Sequence, residues 1–393
     1  MHDVSRLDLF LTEACNLSCN YCFAADAKPG AISTTKAREG IAWLMKSRSQ
    51  KVHITFWGGE PFLLWKMLKQ CVAEAKSAAT DCGKSIGFSI PTNATLLDEE
   101  KLNWVAENGI KIFLSIDGAA SAQAFRPLRS GENSHTLATE GLRQALRHKN
   151  LPAPAVRMTV SPQNVTALVE SVVHFVGEGV SELLIYPAYD SPWTETELKR
   201  FETVQNQLVE KVIELFGTLG HRSVPQLKAW RPILRRLYRE GHGRPRQGPV
   251  NHCGAGIQLE ARTTALEASP CHRFVFYNRQ RPQALKAGDF ADLRIEAFQG
   301  KTRCVECSEF DLCTYGCVAI NFATTGNLKR IPTVACALMT AQIAACKKLH
   351  NTLSNDPNYA LYLGIPIKSV LQKKARALAH KAWQDYSSTG APG

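Results

Sequence analysis

The first half of the chain alternates short apolar runs with longer amphipathic stretches. Six runs have the mostly apolar character of strands buried on both faces, and they lie at residues 7–11, 52–57, 86–90, 110–116, 156–160 and 183–186. Helix-like stretches lie between them, at residues 34–47, 64–79, 99–108, 135–147 and 164–177. This alternation predicts six βα units of an α/β fold with a parallel sheet, arranged as a partial or full barrel.

The pattern of residues changes after residue 240. Residues 195–240 are expected to be helical throughout, and residues 241–249 read as a linker because Gly, Pro and Arg dominate them. Closely spaced cysteines then replace the alternation of strands and helices, and a final helix is expected at 334–353. We divide the chain into an α/β domain with a helical extension at 1–240, a small cysteine-rich domain at 241–360, and a basic tail, helical or mobile, at 361–393.

Composition favours a folded protein of the cytoplasm. The chain has 393 residues, of which 45% are hydrophobic, and this apolar fraction can offset the entropy of an ordered chain. No run approaches the roughly 20 apolar residues that cross a bilayer, and the amino terminus lacks an export signal. We therefore expect a cytoplasmic location and no membrane partner.

The net charge of +12 suggests contact with an acidic partner. Much of the basic excess lies at residues 222–246 and 368–381. Solvated helix faces are the simplest explanation. An acidic peptide or protein is the second, for example an acidic leader peptide held by Arg235, Arg236 and Arg239. Nucleic acid is the least favoured partner.

Thirteen cysteines indicate metal binding, because the cytosol gives disulfides little persistence. Cys15, Cys19 and Cys22 follow the first predicted strand with C-x3-C-x2-C spacing. Three thiolates on one loop can hold three irons of a 4Fe–4S cluster and leave the fourth iron open to a substrate. Zinc is the competing interpretation, but a closed zinc site needs a fourth ligand, and none lies nearby in the sequence.

Polar and glycine residues follow the ends of the next predicted strands, where barrels carry their chemistry. Glycines after the second strand let the backbone approach a ligand closely, and the adjacent glutamate can offset an ammonium group, although the same four residues also make an ordinary turn. For each of the other residues, a role in helix capping or in a turn is an equally good alternative to ligand binding. The candidates are Gly58, Gly59, Glu60, Pro61, Asn93, Ser115, Asp117, Arg126, Ser161 and Asn164.

The cysteine triplet, with Tyr21 before its third cysteine, and the Gly-Gly-Glu-Pro segment resemble the radical S-adenosylmethionine (SAM) enzymes, over about residues 5–190. The resemblance implies a partial (β/α)6 TIM-like barrel with a 4Fe–4S cluster on the triplet. It also implies SAM binding by the candidate residues above, with the Gly-Gly-Glu-Pro segment at the methionyl amino group and Arg126 near the SAM carboxylate.

A second group of cysteines, with the run C-x2-C-x5-C-x3-C, resembles the SPASM domain that follows some radical SAM barrels. That domain carries two auxiliary 4Fe–4S clusters, which makes three clusters in all. By resemblance one cluster binds Cys304, Cys307, Cys313 and Cys336, and the other binds Cys253, Cys271 and Cys317. A zinc-ribbon interpretation of the same cysteines stays open.

The chain departs from that pattern at two positions. No cysteine follows Cys253 closely, so its cluster has either an open iron or a further ligand such as His252, Glu260 or Cys82. Leu266 stands where the family commonly has glycine. Of the remaining cysteines, Cys71 and Cys346 are expected to be thiols of the core.

The resemblance implies that the protein cleaves SAM reductively to a 5′-deoxyadenosyl radical, which abstracts a substrate hydrogen atom. An external one-electron reductant such as flavodoxin or ferredoxin would supply the electron. The implied product is a C–C, C–O or C–S crosslink in a ribosomally made peptide. Alternatives are sulfatase-maturase-like dehydrogenation of a protein side chain, modification of a small molecule or of nucleic acid, and an oxygen-sensing iron–sulfur protein.

His272 is the candidate catalytic residue outside the SAM site. Sulfatase-maturating enzymes carry an acidic base directly after the second auxiliary cysteine, whereas here Cys271 is followed by His272. The histidine is a base, a ligand, a partner of cluster sulfur or a structural residue. Only six residues precede the first predicted strand, so we expect a leader peptide to be recognised elsewhere on the chain, by a separate protein, or not at all.

Overall fold

The computed structural model describes residues 2–25, 30–240, 253–256, 258–280, 304 and 306–365. The predicted linker at 241–249, His252 and the predicted tail beyond residue 365 lie outside the described residues. The described strands are β1 Arg6–Phe10, β2 Lys51–Trp57, β3 Ser85–Thr92, β4 Lys111–Ser115, β5 Ala155–Val160, β6 Glu182–Pro187, β7 Gln226–Leu227, β8 Leu259–Arg262 and β9 Ala268–Ser269.

The helices alternate with the first six strands and then dominate the second half of the chain. They are α1 Thr34–Met45, α2 Trp65–Asp81, α3 Glu99–Glu107, α4 Ala120–Gln123, α5 His135–Arg147, α6 Leu168–Gly177, α7 Glu195–Leu219, α8 Arg231–Glu240, α9 His272–Gln280, α10 Val318–Thr325, α11 Thr333–Leu353 and α12 Tyr359–Tyr362. Among the described residues, no helix is both long enough and apolar enough to cross a membrane.

The strands form one nine-stranded sheet in the order β7-β6-β5-β4-β3-β2-β1-β8-β9. Strands β1 to β6 lie side by side in chain order and are parallel, which is the arrangement that six βα units produce. The predicted α/β fold with a parallel sheet is therefore confirmed. Because all six strands run the same way, their carboxyl ends meet at one edge, and the loops of the site follow that edge.

The two faces of the sheet have different side chains. Leu7 and Leu9 of β1 belong to the hydrophobic core that the sheet shares with the helices. Alternation of side chains along a strand puts Asp8 and Phe10 on the opposite face. We call this opposite face, the interior of the partial barrel, the inner face.

The segment 195–240 is not helical throughout, so that prediction is wrong. Helix α7 begins with a capping box between Thr194 and Glu197 and ends at Gly220, whose φ of +77° favours glycine. The short strand β7 then pairs with β6 before α8 begins. The amphipathic pattern of the two helices hid this interruption, because a two-residue strand leaves no periodicity of its own.

The region after the predicted linker joins the same sheet. Strand β8 runs parallel to β1, with Leu259 opposite Arg6, and β9 pairs antiparallel with β8. The predicted division into domains at residues 240 and 360 stays a prediction.

Two sequence-based expectations outside the site can be checked directly. Cys71 and Cys346 are fully buried, as expected for core thiols. Leu266, at the position where glycine is common, has φ of +66° and therefore adopts the left-handed conformation that glycine accepts most easily. The turn forms here without glycine.

Candidate functional site

The loop that carries Cys15, Cys19 and Cys22 leaves β1 and is held by the segment that follows α4. The backbone N–H of Ser18 donates to the carbonyl of Pro127 at 2.8 Å, and that of Asn20 donates to the carbonyl of Phe125 at 3.0 Å. Arg129 Nε also donates to the Cys15 carbonyl at 2.6 Å. These bonds fix the path of the loop before any ligand binds.

The three thiols lie close enough to interact electrostatically. Burial, together with nearby Glu60, Cys19 and Cys22, raises the pKa of Cys15 to about 11, although a hydrogen bond from Leu17 N opposes this. Burial also raises the pKa of Cys19, which the guanidinium of Arg126 partly offsets. Thiolates that are desolvated and mutually repelled need cationic ligands, so this donor set fits an iron–sulfur cluster held at three corners.

The Gly-Gly-Glu-Pro segment packs directly against this loop. The N–H groups of Gly59 and Glu60 donate to the carbonyls of Thr12 and Ala14, at 3.2 Å and 3.0 Å. A Cβ added at Gly59 would lie 2.4 Å from the Ala14 carbonyl oxygen and 2.7 Å from Cys15 Cβ. Only glycine therefore allows this approach of β2 to the cysteine loop.

Glu60 connects the ends of β2 and β3. Its carboxylate is fully buried and accepts hydrogen bonds from Phe62 N at 3.1 Å, Thr92 Oγ1 at 2.9 Å and Asn93 N at 2.7 Å. Burial raises its pKa to about 7. The role of Glu60 in SAM binding stays a prediction. Pro61, also buried, begins the 3-10 turn that Glu60 caps.

Asn93 connects the end of β3 to the cysteine loop. Its Nδ2 donates to Asn16 Oδ1 at 2.8 Å and lies 3.9 Å from Cys15 Sγ. Its Oδ1 accepts from Thr95 N at 3.0 Å. The adjacent Ala94 has φ of +66°, an unusual conformation for a residue with a Cβ. Asn93 therefore helps to orient the cysteine loop.

Asp117, Arg126 and Tyr21 form a buried polar network beside Cys19. The Tyr21 hydroxyl donates to Asp117 Oδ2 and accepts from Arg126 Nη1 at 2.8 Å. Asp117 Oδ1 also accepts from Thr159 N at 3.0 Å. Burial raises the pKa of Asp117 despite the attraction of Arg126. Arg126 Nε is buried with no partner among the described residues, so a donor is left for a ligand.

We expect Tyr21→Phe to lower the free energy of unfolding by about 1–2 kcal/mol, because Asp117 loses a buried hydrogen bond and Arg126 an acceptor. Anaerobic urea unfolding measures this change. Tyr186→Phe is the matched control, since no described residue bonds the Tyr186 hydroxyl. Equal unfolding midpoints for the two variants would show that the Tyr21 hydroxyl does not stabilise the fold.

The remaining strand-end candidates lie around the same edge. Ser115 is half-buried at the end of β4, where it pairs with Arg157 of β5. Ser161 is fully buried, its N–H donates to Asn164 Oδ1 at 2.8 Å, and its Oγ has no partner among the described residues. Asn164 Nδ2 donates to Asp117 Oδ2 at 3.3 Å. The fold thus brings the ends of β4 and β5 together, as predicted.

The second group of cysteines separates into the two predicted sets. Burial raises the pKa of Cys313 to about 11, with further repulsion from Cys304, Cys336 and Cys307. Burial likewise raises the pKa of Cys271, with repulsion from Cys317 and Cys253. Each set fits a metal cluster by the same reasoning as the first loop, although the connectivity remains a prediction.

One of the proposed further ligands of Cys253, Glu260, does not fit. Cys82 is exposed at the carboxyl end of α2, shortly before β3 begins, and so lies at the amino edge of the sheet, as Cys253 does before β8; it stays a proposed ligand. Glu260 is buried on β8 and pairs with Arg262 at 2.6 Å, and the Arg262 guanidinium lies over the ring of Trp43 in α1. Glu260 thus faces the helix side of the sheet, away from the cysteines.

The arginines of α8 also differ from their predicted role. Arg235 donates to the carbonyls of Leu363 at 2.8 Å and Gly364 at 3.0 Å. Arg236 donates to the carbonyls of Asp311 at 2.9 Å and Cys313 at 3.3 Å. These two residues bind the chain itself, so an acidic leader site built on them is not supported, and only Arg239 is exposed.

Comparison with known proteins identifies the amino-terminal half. Residues 9–170 match the Radical SAM superfamily. This segment is a radical SAM domain. The identification made from the cysteine triplet and the Gly-Gly-Glu-Pro segment is therefore confirmed.

Relatives of this radical SAM domain include proteins of known and unknown role. An uncharacterized protein of Methanocaldococcus jannaschii is 31% identical over 180 residues, 46% of this chain and 61% of that protein. The serine-type anaerobic sulfatase-maturating enzyme of Klebsiella aerogenes is 27% identical over 143 residues, 35% of each chain. The sporulation killing factor maturation protein SkfB of Bacillus subtilis is 27% identical over 161 residues, 40% of this chain and 36% of SkfB. The similarity spans less than two thirds of each relative.

The fold similarity extends beyond the radical SAM domain. The structure of anSMEcpe with bound SAM and the Cp18Cys peptide superimposes with a TM-score of 0.70 at 17% identity. The superposition covers 89% of this chain and 99% of that chain. The chain therefore has this fold over most of its length, and the SPASM assignment of its second half stays a prediction.

The inner face holds the predicted candidate His272 together with two charged residues that the sequence did not reveal, Asp8 and Arg157. His272, at the start of α9, lies 2.9 Å from Asp8 Oδ2 through its Nδ1 and stacks on Trp57 at 4.0 Å between ring centroids. Burial lowers the pKa of His272, although Asp8 opposes this. Asp8 and Arg157 are each a charged residue between two apolar neighbours of a strand, which is the signal that could have found them.

Proposed function

We propose that this protein is a radical SAM enzyme that oxidatively modifies a peptide or protein, with crosslink formation as the favoured outcome. One observation carries the proposal. Three thiols on one loop lie together at the carboxyl edge of the sheet, where Gly59, Asn93 and the Tyr21–Asp117–Arg126 network all hold that loop.

A 4Fe–4S cluster on Cys15, Cys19 and Cys22 would supply the electron that cleaves SAM, so that the resulting radical removes a substrate hydrogen atom. The chain's own residues position the reactants. Arg126, whose Nε has no partner within the described part of the chain, is suited to the SAM carboxylate, and backbone groups of Gly58 and Gly59 are suited to the methionyl amino group. Ser115 and Ser161 complete the rim of this site.

The second half of the protein supports net oxidation. Two further sets of thiols fit auxiliary clusters, which could accept the electron left on the substrate. Flavodoxin or ferredoxin is the proposed external reductant. His272 is the proposed catalytic residue of the inner face, held by Asp8 and Trp57 beside the second set of thiols.

A peptide substrate is supported by the similar proteins. SkfB is a maturation protein of the sporulation killing factor, and anSMEcpe binds a peptide together with SAM. Both a crosslink and a dehydrogenated side chain remove two hydrogen atoms, so these two products must be told apart by fragmentation.

The test uses anaerobically reconstituted protein with SAM, a chemical reductant and peptides encoded near its gene. We expect 5′-deoxyadenosine and a peptide that has lost two hydrogen atoms. Tandem mass spectra that lack fragments between two residues indicate a crosslink, whereas full fragmentation indicates dehydrogenation. If no 5′-deoxyadenosine forms under reducing conditions, the proposed function is wrong.

A further inference from the structure

Among the described residues, the charged groups that are buried or half-buried on the inner face are paired, with one exception. Asp8 is bound to His272 at 2.9 Å. Asp190, just after β6, accepts from Arg273 Nη1 at 2.9 Å and from the Tyr277 hydroxyl. Each of these carboxylates therefore already has its partner, and Arg157 is the half-buried cation of this face that has no ion pair within the described part of the chain.

Arg157 faces the interior of the barrel from the middle of β5. Its neighbours Val156 and Met158 belong to the core on the helix side, so alternation directs Arg157 to the inner face. Its guanidinium lies over the ring of Tyr186 at 5.9 Å. Arg157 has no carboxylate within ion-pair distance in the described part of the chain, and its Nε is buried without a hydrogen-bond partner.

A buried guanidinium without an acceptor costs free energy unless a ligand supplies the acceptor. Burial lowers the pKa of Arg157, and the nearby Tyr186 and Asp8 oppose this shift. A second unpaired donor, Trp57 Nε1, also lies on the inner face, beside the ring of His272. Buried donors without partners are rare in folded proteins and mark places where an acceptor is expected.

We propose that Arg157 binds a carboxylate of the substrate inside the barrel and so selects substrates with an anionic group. This inference rests on the proposed function, because it assumes a peptide that enters the barrel. The carboxylate comes either from an acidic side chain or from the carboxyl terminus of the peptide. A planar guanidinium with several N–H donors matches either group through paired hydrogen bonds.

Arg126 is the guanidinium placed for the carboxylate of SAM, because it approaches the cysteine loop at the carboxyl edge of the sheet. Arg157 lies three residues before the end of β5, opposite Ser115 at the end of β4. We therefore assign Arg157 to the substrate beside SAM, and the SAM affinity of the Arg157→Gln variant checks this assignment.

The test measures binding of three small peptides to the reconstituted holoenzyme with SAM present and no reductant, by saturation-transfer NMR titration. The peptides are acetyl-Gly-Asp-Gly-amide, acetyl-Gly-Gly-Gly with a free carboxyl terminus, and acetyl-Gly-Asn-Gly-amide. We expect at least one carboxylate peptide to bind about fivefold or more tightly than the Asn peptide. Preference for the first or the second peptide assigns the source of the carboxylate.

Variants then test whether Arg157 causes the preference for carboxylate peptides. Arg157→Gln is expected to abolish it, Arg157→Lys to retain part of it, and the surface control Arg143→Gln to leave it unchanged. Equal binding of all three peptides by the natural protein overturns the proposal, and this arm needs no folded variant. An unchanged preference for the carboxylate peptide in Arg157→Gln also overturns the proposal. A loss of SAM affinity in that variant would assign Arg157 to SAM instead.

The proposed function is tested separately in the same samples. Formation of 5′-deoxyadenosine after addition of reductant, without any peptide, measures SAM cleavage alone. Absence of cleavage with intact carboxylate selectivity would refute the proposed function but not the role of Arg157 in binding. Cleavage of SAM without a preference for a carboxylate peptide would refute the role of Arg157 but not the proposed function.

Discussion

Replacement of Cys19 by alanine is expected to reduce the formation of 5′-deoxyadenosine by at least about 100-fold in reconstituted protein. Cys19 is one of three thiols on the loop, and no described cysteine outside the triplet lies near enough to raise the pKa of Cys15. Arg126 stabilises the Cys19 thiolate, so the site is built for a charged ligand at this corner. Liquid chromatography of the nucleoside products measures the rate.

The matched control is Cys82→Ala, which also removes one thiol. Cys82 is exposed at the edge of the sheet opposite the triplet, so we expect an unchanged rate and an unchanged SAM-responsive cluster. The iron content of this variant separately tests whether Cys82 is a ligand of the cluster at Cys253. Full activity of Cys19→Ala would contradict our assignment of ligands.

The second large effect is expected for Gly59→Ala. The added Cβ would lie 2.4 Å from the Ala14 oxygen, 2.6 Å from the Ala14 carbonyl carbon and 2.7 Å from Cys15 Cβ. Backbone atoms cannot yield as a flexible side chain does, so the cysteine loop must move away from β2. We expect a destabilisation of about 3 kcal/mol or more, and loss of the SAM-responsive cluster while the other iron is retained.

Electron paramagnetic resonance of the reduced protein with and without SAM measures that loss. Gly177→Ala is the control, because a Cβ there meets nothing within 4 Å and the position is the last of a helix. It should leave the spectrum unchanged and stabilise the protein slightly, by up to about 1 kcal/mol. A normal SAM-dependent spectral change in Gly59→Ala would show that the loop tolerates the displacement.

The sequence predicts the parts of this protein that depend on local pattern. The six parallel strands were predictable because buried strands are short and apolar, and each is followed by a helix of regular period. The cysteine loop and the glycines after β2 were predictable because their chemistry depends on residue type and spacing. The two groupings of later cysteines came from resemblance, and the interactions among their thiols agree with them.

The sequence could not predict features that depend on distant partners. Glu60 accepts bonds from Thr92 and Asn93 at the end of β3, and nothing within its own segment indicates this direction of its carboxylate. Arg235 and Arg236 were interpreted as a surface patch, but carbonyls more than 70 residues away bind them. Asp8 and His272 are separated by 264 positions.

The pairing of β8 with β1 has a consequence for how this protein is made. Strand β1 is synthesised well before its neighbour on one side, β8, which follows it by some 250 residues of chain. Until that neighbour leaves the ribosome, β1 presents a row of unsatisfied backbone groups, the type of exposed edge that promotes association between chains. A fragment that ends after α8 would keep that edge permanently open, so expression of the first 240 residues alone should give aggregated protein.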